Sequence, residues 1–281
     1  SEVEEKQRGI QCMEALQIAV PLLVEDEKPE VLASSVLLLR QLGCYPEISQ
    51  LVRKQPDVLS HFQGFQIDKE LDVPDGELFG CAAFSNKYLA VGIEDVRIYH
   101  IQDFRIVKRL TEAAGPVDSV AFSDKYLAAG SRDKKVRIYD VQDFHMVQEI
   151  ADASEQIWCV AFSDKYLATG SGDCKARIYD AQHFHMVQEL ADATGSVLSV
   201  TFSNKYFATG SGDKKVRVYD LETFCVVEEL TEAYKVFAVA FSNNYLVTAS
   251  LNVRVYDLKD FRLIKELAEF RDGFRKVALT D

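Results

Sequence analysis

His183 and His185, two residues apart, are the first groups in this 281-residue chain whose type and spacing could do chemistry. Side chains at i and i+2 of a strand share a face, so this pair could hold a metal ion. A third ligand is not evident, and the expectation is a pair of solvated edge histidines with no metal. The stretch GSGD at 170–173 has the composition of a phosphate-cradling loop, and Asp173 beside Cys174 that of a reactive pair. Carboxylates recur in VQDF, LETF and LKDF, while Asp118 stands apart as the one obvious inward-lying acid. No serine or cysteine is accompanied by a histidine at equivalent positions, so no nucleophile with its base can be proposed. The expectation is a chain that is not an enzyme, with no catalytic residues and no cofactor.

What would position such groups is a repeat. Blocks begin FSNKYLAVG at Phe84, FSDKYLAAG at Phe122, FSDKYLATG at Phe162, FSNKYFATG at Phe202 and FSNNYLVTAS at Phe241, at spacings of 38, 40, 40 and 39 residues. A second anchor recurs with them as RIYH, RIYD, RIYD, RVYD and RVYD, carrying Tyr99, Tyr139, Tyr179, Tyr219 and Tyr256. In the third unit IWCVAFS, KYLATGS, KARIYDA and FHMVQEL read as short strands separated by Gly-Asp and Asp/Gln turns, without helical period. Four strands in a unit of about 40 residues are the pattern of a β-propeller blade. A feature written several times at equal spacing is a turn of the architecture, which removes the phosphate-loop reading of GSGD. Cys174, standing where other units have Lys134 and Lys214, is then a substitution at an exposed turn.

The runs GSRDKKVRIYD, GSGDCKARIYD and GSGDKKVRVYD resemble the WD40 repeat family, whose motif they follow position by position. The resemblance covers about residues 77–281 and implies a mainly β, WD40-like propeller with five recognisable four-stranded blades. Two departures stand out. Tyrosine replaces the tryptophan of the family's Trp-Asp pair, with Tyr99-His100 losing the aspartate too, and the family's Gly-His turn reads TEAAGPV, ADASEQI, ADATGSV and TEAYKVF. Without that histidine the family's side-chain network cannot form in its usual shape, so Asp133, Asp173 and Asp213 are expected to cap their own turns.

Before the blades, GFQIDKEL at 64–71 looks like a lone fourth strand, and after them RKVALTD at 275–281 looks like a lone first strand, an incomplete sixth blade. A chain that continues, a partner or second chain that completes the ring, and a tight five-bladed closure are the three alternatives, with a truncated or divergent larger propeller favoured. Ser1 rather than Met at the start fits a processed chain, an expressed product or a fragment. Residues 1–62 are different in kind. Ile10, Met13, Leu16, Val20 and Leu23, then Val31, Leu32, Val36, Leu39 and Leu42, have helical period, with Pro29, Gly43 and Pro46 at helix boundaries. This segment weakly resembles an armadillo or HEAT-type helical repeat, and 63–76 reads as a linker with the lone strand.

Composition narrows the partners. With 44 acidic and 32 basic residues the net charge is -12, which argues against nucleic acid. Lys134, Lys135, Arg137, Lys175, Arg177, Lys214, Lys215 and Arg217 alternate with apolar residues and face acids in QEI, QEL and EEL, so a solvated blade edge is expected. No apolar run reaches the ~18 residues of a membrane span, no signal layout opens the chain, and no membrane partner is expected. Six scattered cysteines without CxxC spacing suit a reducing, cytoplasmic setting.

Function is expected where near-identical blades differ. The second and third units match at 26 of 40 positions, and their mismatches bunch at the start of the first strand. In WD40-like propellers this stretch and the residue before the turn aspartate line the top face around the central opening. Carried over, that implies Leu78 and Gly80, Pro116 and Asp118, Gln156 and Trp158, Ser196 and Leu198, and Lys235 and Phe237, with Glu94, Arg132, Gly172, Gly212 and Leu251 before the turns. Trp158, Leu198 and Phe237, rimmed by Asp118, Arg132 and Lys235 with Gln156 and Leu78 alongside, form a candidate protein-binding face. The expected function is a non-catalytic interaction scaffold for a peptide or domain of another protein. The alternatives are an enzyme or small-ligand binder of the five-bladed, sugar-processing kind, and a regulatory sensor domain of a larger signalling protein.

Overall fold

The computed structural model describes residues 81–267, all within one compact unit of the chain. The calls on the helical segment, the lone strand at 64–71, Leu78 and the incomplete sixth blade fall outside the described residues. The described chain is all strand and turn. The first blade is β1 (Cys81–Phe84), β2 (Tyr88–Gly92), β3 (Val96–His100) and β4 (Ile106–Leu110). The second is β5 (Val117–Phe122), β6 (Tyr126–Ser131), β7 (Val136–Asp140) and β8 (Met146–Ile150). The third is β9 (Ile157–Phe162), β10 (Tyr166–Ser171), β11 (Ala176–Asp180) and β12 (Met186–Leu190). The fourth is β13 (Val197–Phe202), β14 (Tyr206–Ser211), β15 (Lys215–Asp220) and β16 (Val226–Thr231). The fifth is β17 (Ala238–Phe241), β18 (Tyr245–Ala249), β19 (Val253–Asp257) and β20 (Leu263–Leu267). Each blade is an antiparallel meander whose strands pair in sequence order.

The recurring residues explain the turns. In the first hairpin of the second blade Ser123 Oγ accepts from the Tyr126 amide at 2.9 Å, and the Ser123 amide donates to the Tyr126 carbonyl. Ser85, Ser163 and Ser203 repeat this closure. The second hairpin turns through a left-handed residue, Lys134, Cys174 or Lys214, at φ near 70°. The third turns through Phe104, Phe144, Phe184, Phe224 or Phe261, again left-handed. Carboxylates cap the third turns: Asp140 Oδ1 accepts from the Gln142 amide and Asp180 Oδ1 from the Gln182 amide. Of the acids in VQDF and LKDF, Asp143 Oδ1 accepts from the His145 amide and Asp260 Oδ1 from the Arg262 amide.

The core lies between the sheets. Each cluster of buried apolar residues joins one blade to the next, as Ile98 and Leu110 of the first blade join Val117, Val120 and Leu127 of the second. An aromatic pair staples each junction edge to face: Tyr88 with Phe144, Tyr126 with Phe184, Tyr166 with Phe224 and Tyr206 with Phe261. The two anchors of the repeat pair within each blade, as Leu127 does with Tyr139, while the first anchor's tyrosine meets the third-turn phenylalanine of the next blade across the junction. Gly130, Gly170 and Gly210 allow the approach, since a Cβ on Gly170 would stand 2.7 Å from Val197 Cγ1 of the next blade. Gly170 is thus an inter-blade contact in β10 and not a turn glycine. Five blades are joined here by four such junctions. The inner strands pack in the series β1, β5, β9, β13, β17, and β17 does not pack on β1 as the others pack on their neighbours. Closure with extra strands at the seam falls on residues outside the described ones.

Candidate functional site

The positions singled out for their variability are placed by a shared irregularity of the inner strands. In the third blade Cys159 pairs with Gly170 and Ile157 with Ser171, so Trp158 between them is extruded as a β-bulge. Asp118 is extruded the same way between Val117 and Ser119, and Leu198 between Val197 and Ser199. A bulge takes one residue out of the regular in-out alternation and re-aims its side chain. Asp118, Trp158, Leu198 and Phe237 hold equivalent places in successive blades, and all four are partly buried.

Three of these predicted residues are brought into contact. Arg132 and Asp118 form a two-pronged ion pair, Nε to Oδ2 at 2.8 Å and Nη2 to Oδ1 at 3.0 Å. The Arg132 guanidinium carbon stands 5.8 Å from the centre of the Trp158 ring, a cation–π distance. The Asp118 carboxylate, and secondarily the charge of Glu94, raise the pKa of Arg132. Asp118, the one acid expected to lie inward, is thereby committed to an arginine. Trp158 Nε1 is buried and has no hydrogen-bond partner among the described residues. Gly172 lies beside it, since a Cβ there would sit 3.5 Å from Nε1.

Gln156 is partly buried and its carbonyl accepts from the Gly172 amide at 2.9 Å, while Lys235 is exposed. Two neighbours were missed by sequence reasoning. Tyr234 is 49% exposed in the loop before β17, with Lys214 Nζ 5.9 Å from its ring centre. Lys134 Nζ donates to the Ser154 carbonyl at 2.7 Å and pairs with Glu155 at 3.5 Å. The signal was present, since TEAYKVF departs from its sister loops at Tyr234 itself.

Behind this face lies a repeated polar cluster that corrects two expectations. Asp173 caps its own turn, Oδ1 accepting from the Lys175 amide at 3.2 Å, and also holds the preceding loop, Oδ2 accepting from the Ser154 amide at 3.1 Å. It does more than cap. Arg177, 3% exposed, donates to Asp173 Oδ2 at 2.8 Å and to Glu189 Oε2 at 3.0 Å. Arg137 and Arg217 repeat the pair with Asp133 and Asp213 at 2.7 and 2.9 Å. These arginines were expected on a solvated edge and are instead buried. Only the lysines behave as an outer edge, with Lys175 and Lys215 pairing with Glu189 and Glu229. Burial opposes ionisation of Asp133, Asp173 and Asp213, but the guanidinium and the loop amide outweigh it and lower their pKa values. The motif tyrosine completes the cluster. Tyr139 OH donates to Glu112 at 3.1 Å and Tyr219 OH to Asp192 at 3.2 Å. In the fifth blade, where Asn252 replaces the turn aspartate, buried Glu232 accepts from both Tyr256 and Arg254. The turn aspartate is thus held by an arginine, and the tyrosine that stands for the family's tryptophan by a loop acid.

The histidine pair is also corrected. His183 and His185 lie in the turn before β12 and not on the strand, and a third group that could ligate stands with them: one donor atom each from Asp180, His183 and His185 lie within 4.8 Å of one another.

Comparison with known proteins agrees with this geometry. The family model described as "WD domain, G-beta repeat" matches residues 104–140, 146–180 and 185–220. Each match spans an outer strand and the first three strands of the next blade. A solved structure titled "Crystal Structure of Mitotic Checkpoint Complex" is similar with a TM-score of 0.70 over 74% of this chain and 70% of that one. At 17% identity the likeness establishes the fold alone. A search of curated proteins finds no match.

Proposed function

We propose that this chain, which belongs to the WD40-repeat β-propellers, is a non-catalytic scaffold that offers the bulged face of its inner strands to partner proteins. WD40 propellers in general are protein-interaction scaffolds, which supports the class. The choice of face rests on one observation, the extruded Trp158 with its buried, unpaired Nε1. Leaving that donor unsatisfied costs about 1–3 kcal/mol, which favours a rearrangement of this face that brings a partner's carbonyl or carboxylate to it. Leu198 and Phe237 extend an apolar arc around it. Asp118, Arg132, Gln156, Lys235 and the exposed Tyr234 supply the polar rim that interfaces use around an aromatic anchor. The net charge of -12 supports protein and not nucleic acid as the partner class. A reducing, cytoplasmic setting belongs to the same reading, supported by the free thiols of Cys174 and Cys225. So does completion of the ring by a partner or second chain, supported by the four junctions among five blades.

The test is affinity capture with the wild-type chain, Trp158→Ala, Phe237→Ala and an outer-strand control, Met186→Ser, each checked by thermal unfolding. Proteins shared by wild type and the control should be lost from the two face variants, whose unfolding midpoints should stay close to wild type. Retention of the same partners by both face variants removes this face from the proposal. Easy unfolding of both would assign Trp158 and Phe237 to packing instead.

A further inference from the structure

The third turn is built alike in every blade. The amide of its first residue donates to the carbonyl five residues on, as Asp180 does to His185 at 3.0 Å, and the amide of the left-handed phenylalanine donates back, as Phe184 does to Asp180 at 2.9 Å. Phe184 is buried and packs edge-on against Tyr126 of the preceding blade at 4.9 Å, so the turn is anchored at its base. On this common frame the first, fourth and sixth residues vary. They are His100, Asp103 and Arg105 in the first blade, and Asp140, Asp143 and His145 in the second. The third blade has Asp180, His183 and His185, the fourth Asp220, Thr223 and Cys225, and the fifth Asp257, Asp260 and Arg262.

In the first blade the trio carries its own cation, Arg105 Nε lying 2.5 Å from Asp103 Oδ2. In the third it offers two imidazoles and a carboxylate and no basic side chain. His183 Nδ1 already stands 3.1 Å from Asp180 Oδ1. That oxygen also accepts from the Gln182 and His183 amides, while Oδ2 accepts no hydrogen bond among the described residues. Metal–donor distances of about 2.0–2.2 Å require donor atoms about 3.5 Å apart in a tetrahedral set. The 4.8 Å spread of the three donors would close to that by rotation of the two exposed imidazoles.

We propose that Asp180, His183 and His185 form a surface site for a divalent transition-metal ion, with Zn2+ the ion best suited to two imidazoles and one carboxylate. Three protein ligands leave a fourth position for water, the layout of an open zinc site. Among the described residues this is the one trio of metal-ligating side chains so arranged, although the same turn occurs five times. The sister turns therefore serve as built-in controls.

The experiment is calorimetric titration of the whole chain with ZnCl2 in a non-thiol reductant. Wild type is compared with His183→Gln, His185→Gln and Asp180→Asn, and with the controls His145→Gln, Cys174→Ser and Cys225→Ser. Asparagine can still cap the turn, and the two histidines are exposed, so all three site variants should keep the wild-type unfolding midpoint. The expected result is one Zn2+ per chain, with binding weakened at least tenfold by each site variant and unchanged by the controls. Absence of Zn2+ binding by the wild type overturns the proposal, as does affinity unaffected by His183→Gln and His185→Gln. Substituting Co2+ reads the ligands directly. A thiolate charge-transfer band would place the ion on cysteine and overturn the assignment, whereas weak d–d bands alone support it.

Discussion

Arg177 is the residue on which local stability turns most. Its guanidinium bridges Asp173 and Glu189 while 97% of its surface is withdrawn from water, the complement of the 3% left exposed. Removing one partner of a buried pair leaves the other charge uncompensated, at a cost of about 3–5 kcal/mol. Arg177→Ala should therefore lower the unfolding free energy by that amount, read as a lower urea midpoint at an unchanged denaturant slope. Asp173→Asn with Arg177→Met should recover part of the loss, because no buried charge is then stranded. A loss under about 1 kcal/mol for Arg177→Ala would mean that water reaches the cluster as it does a surface pair. The pair was misread from sequence because alternation along a strand places Arg177 opposite the apolar face. Only its neighbours determine whether that face is wet.

At the scale of the element, the second strand of each blade is specified by what the next blade needs. Gly170 sits in β10 among buried neighbours, and a methyl group there would lie 2.4 Å from Cys159 Sγ and 3.0 Å from the Val197 carbonyl oxygen. Overpacking of this kind costs about 1–3 kcal/mol. Gly170→Ala should destabilise by at least that, since the backbone of β13 cannot yield as a side-chain tip does. Gly115→Ala is the comparison, because its nearest neighbour would be 3.4 Å away. It should stay within about 0.5 kcal/mol of wild type. Equal effects of the two substitutions in thermal unfolding would show that the junction repacks freely. The inner strand follows a different rule: in β5, β9 and β13 a bulge takes Asp118, Trp158 and Leu198 out of the regular alternation.

For the whole molecule, repetition makes the response to pH collective. Asp133, Asp173 and Asp213 have folded-state pKa values below the unfolded value of about 3.9. The stability each contributes is present above that pH and lost as pH falls through the folded values. Tyr139, Tyr179 and Tyr219 are shifted upward by burial and by the neighbouring loop acids, and Tyr256 is pushed up to about 12 by burial and Glu232. Their contribution is complete below the unfolded tyrosine value of about 10 and declines as pH rises beyond it. The unfolding midpoint should be level from about pH 5 to 9, then fall steeply below about 4 and again above about 10. A midpoint unchanged at pH 3 would contradict the acid arm. Nearest-neighbour junctions make such a stack behave as a line of coupled units, and in the fifth blade Val255 is partly exposed where Ile98, Ile138, Ile178 and Val218 are fully buried.

The sequence alone determined the repeat, the four-strand unit and its turns, because period-two alternation and turn chemistry are local properties of a few consecutive residues. It also marked Asp118, Arg132 and Trp158 as positions where near-identical blades part company. Only the tertiary structure decided that those three touch, since a bulge in β9 and a turn after β6 set their directions. Likewise it alone put Arg177 in the core, made Gly170 a junction and brought Asp180 to the two histidines. Each of these depends on a neighbouring strand or on the far side of a turn, and side-chain environment across such gaps is fixed by packing and not by spacing along the chain.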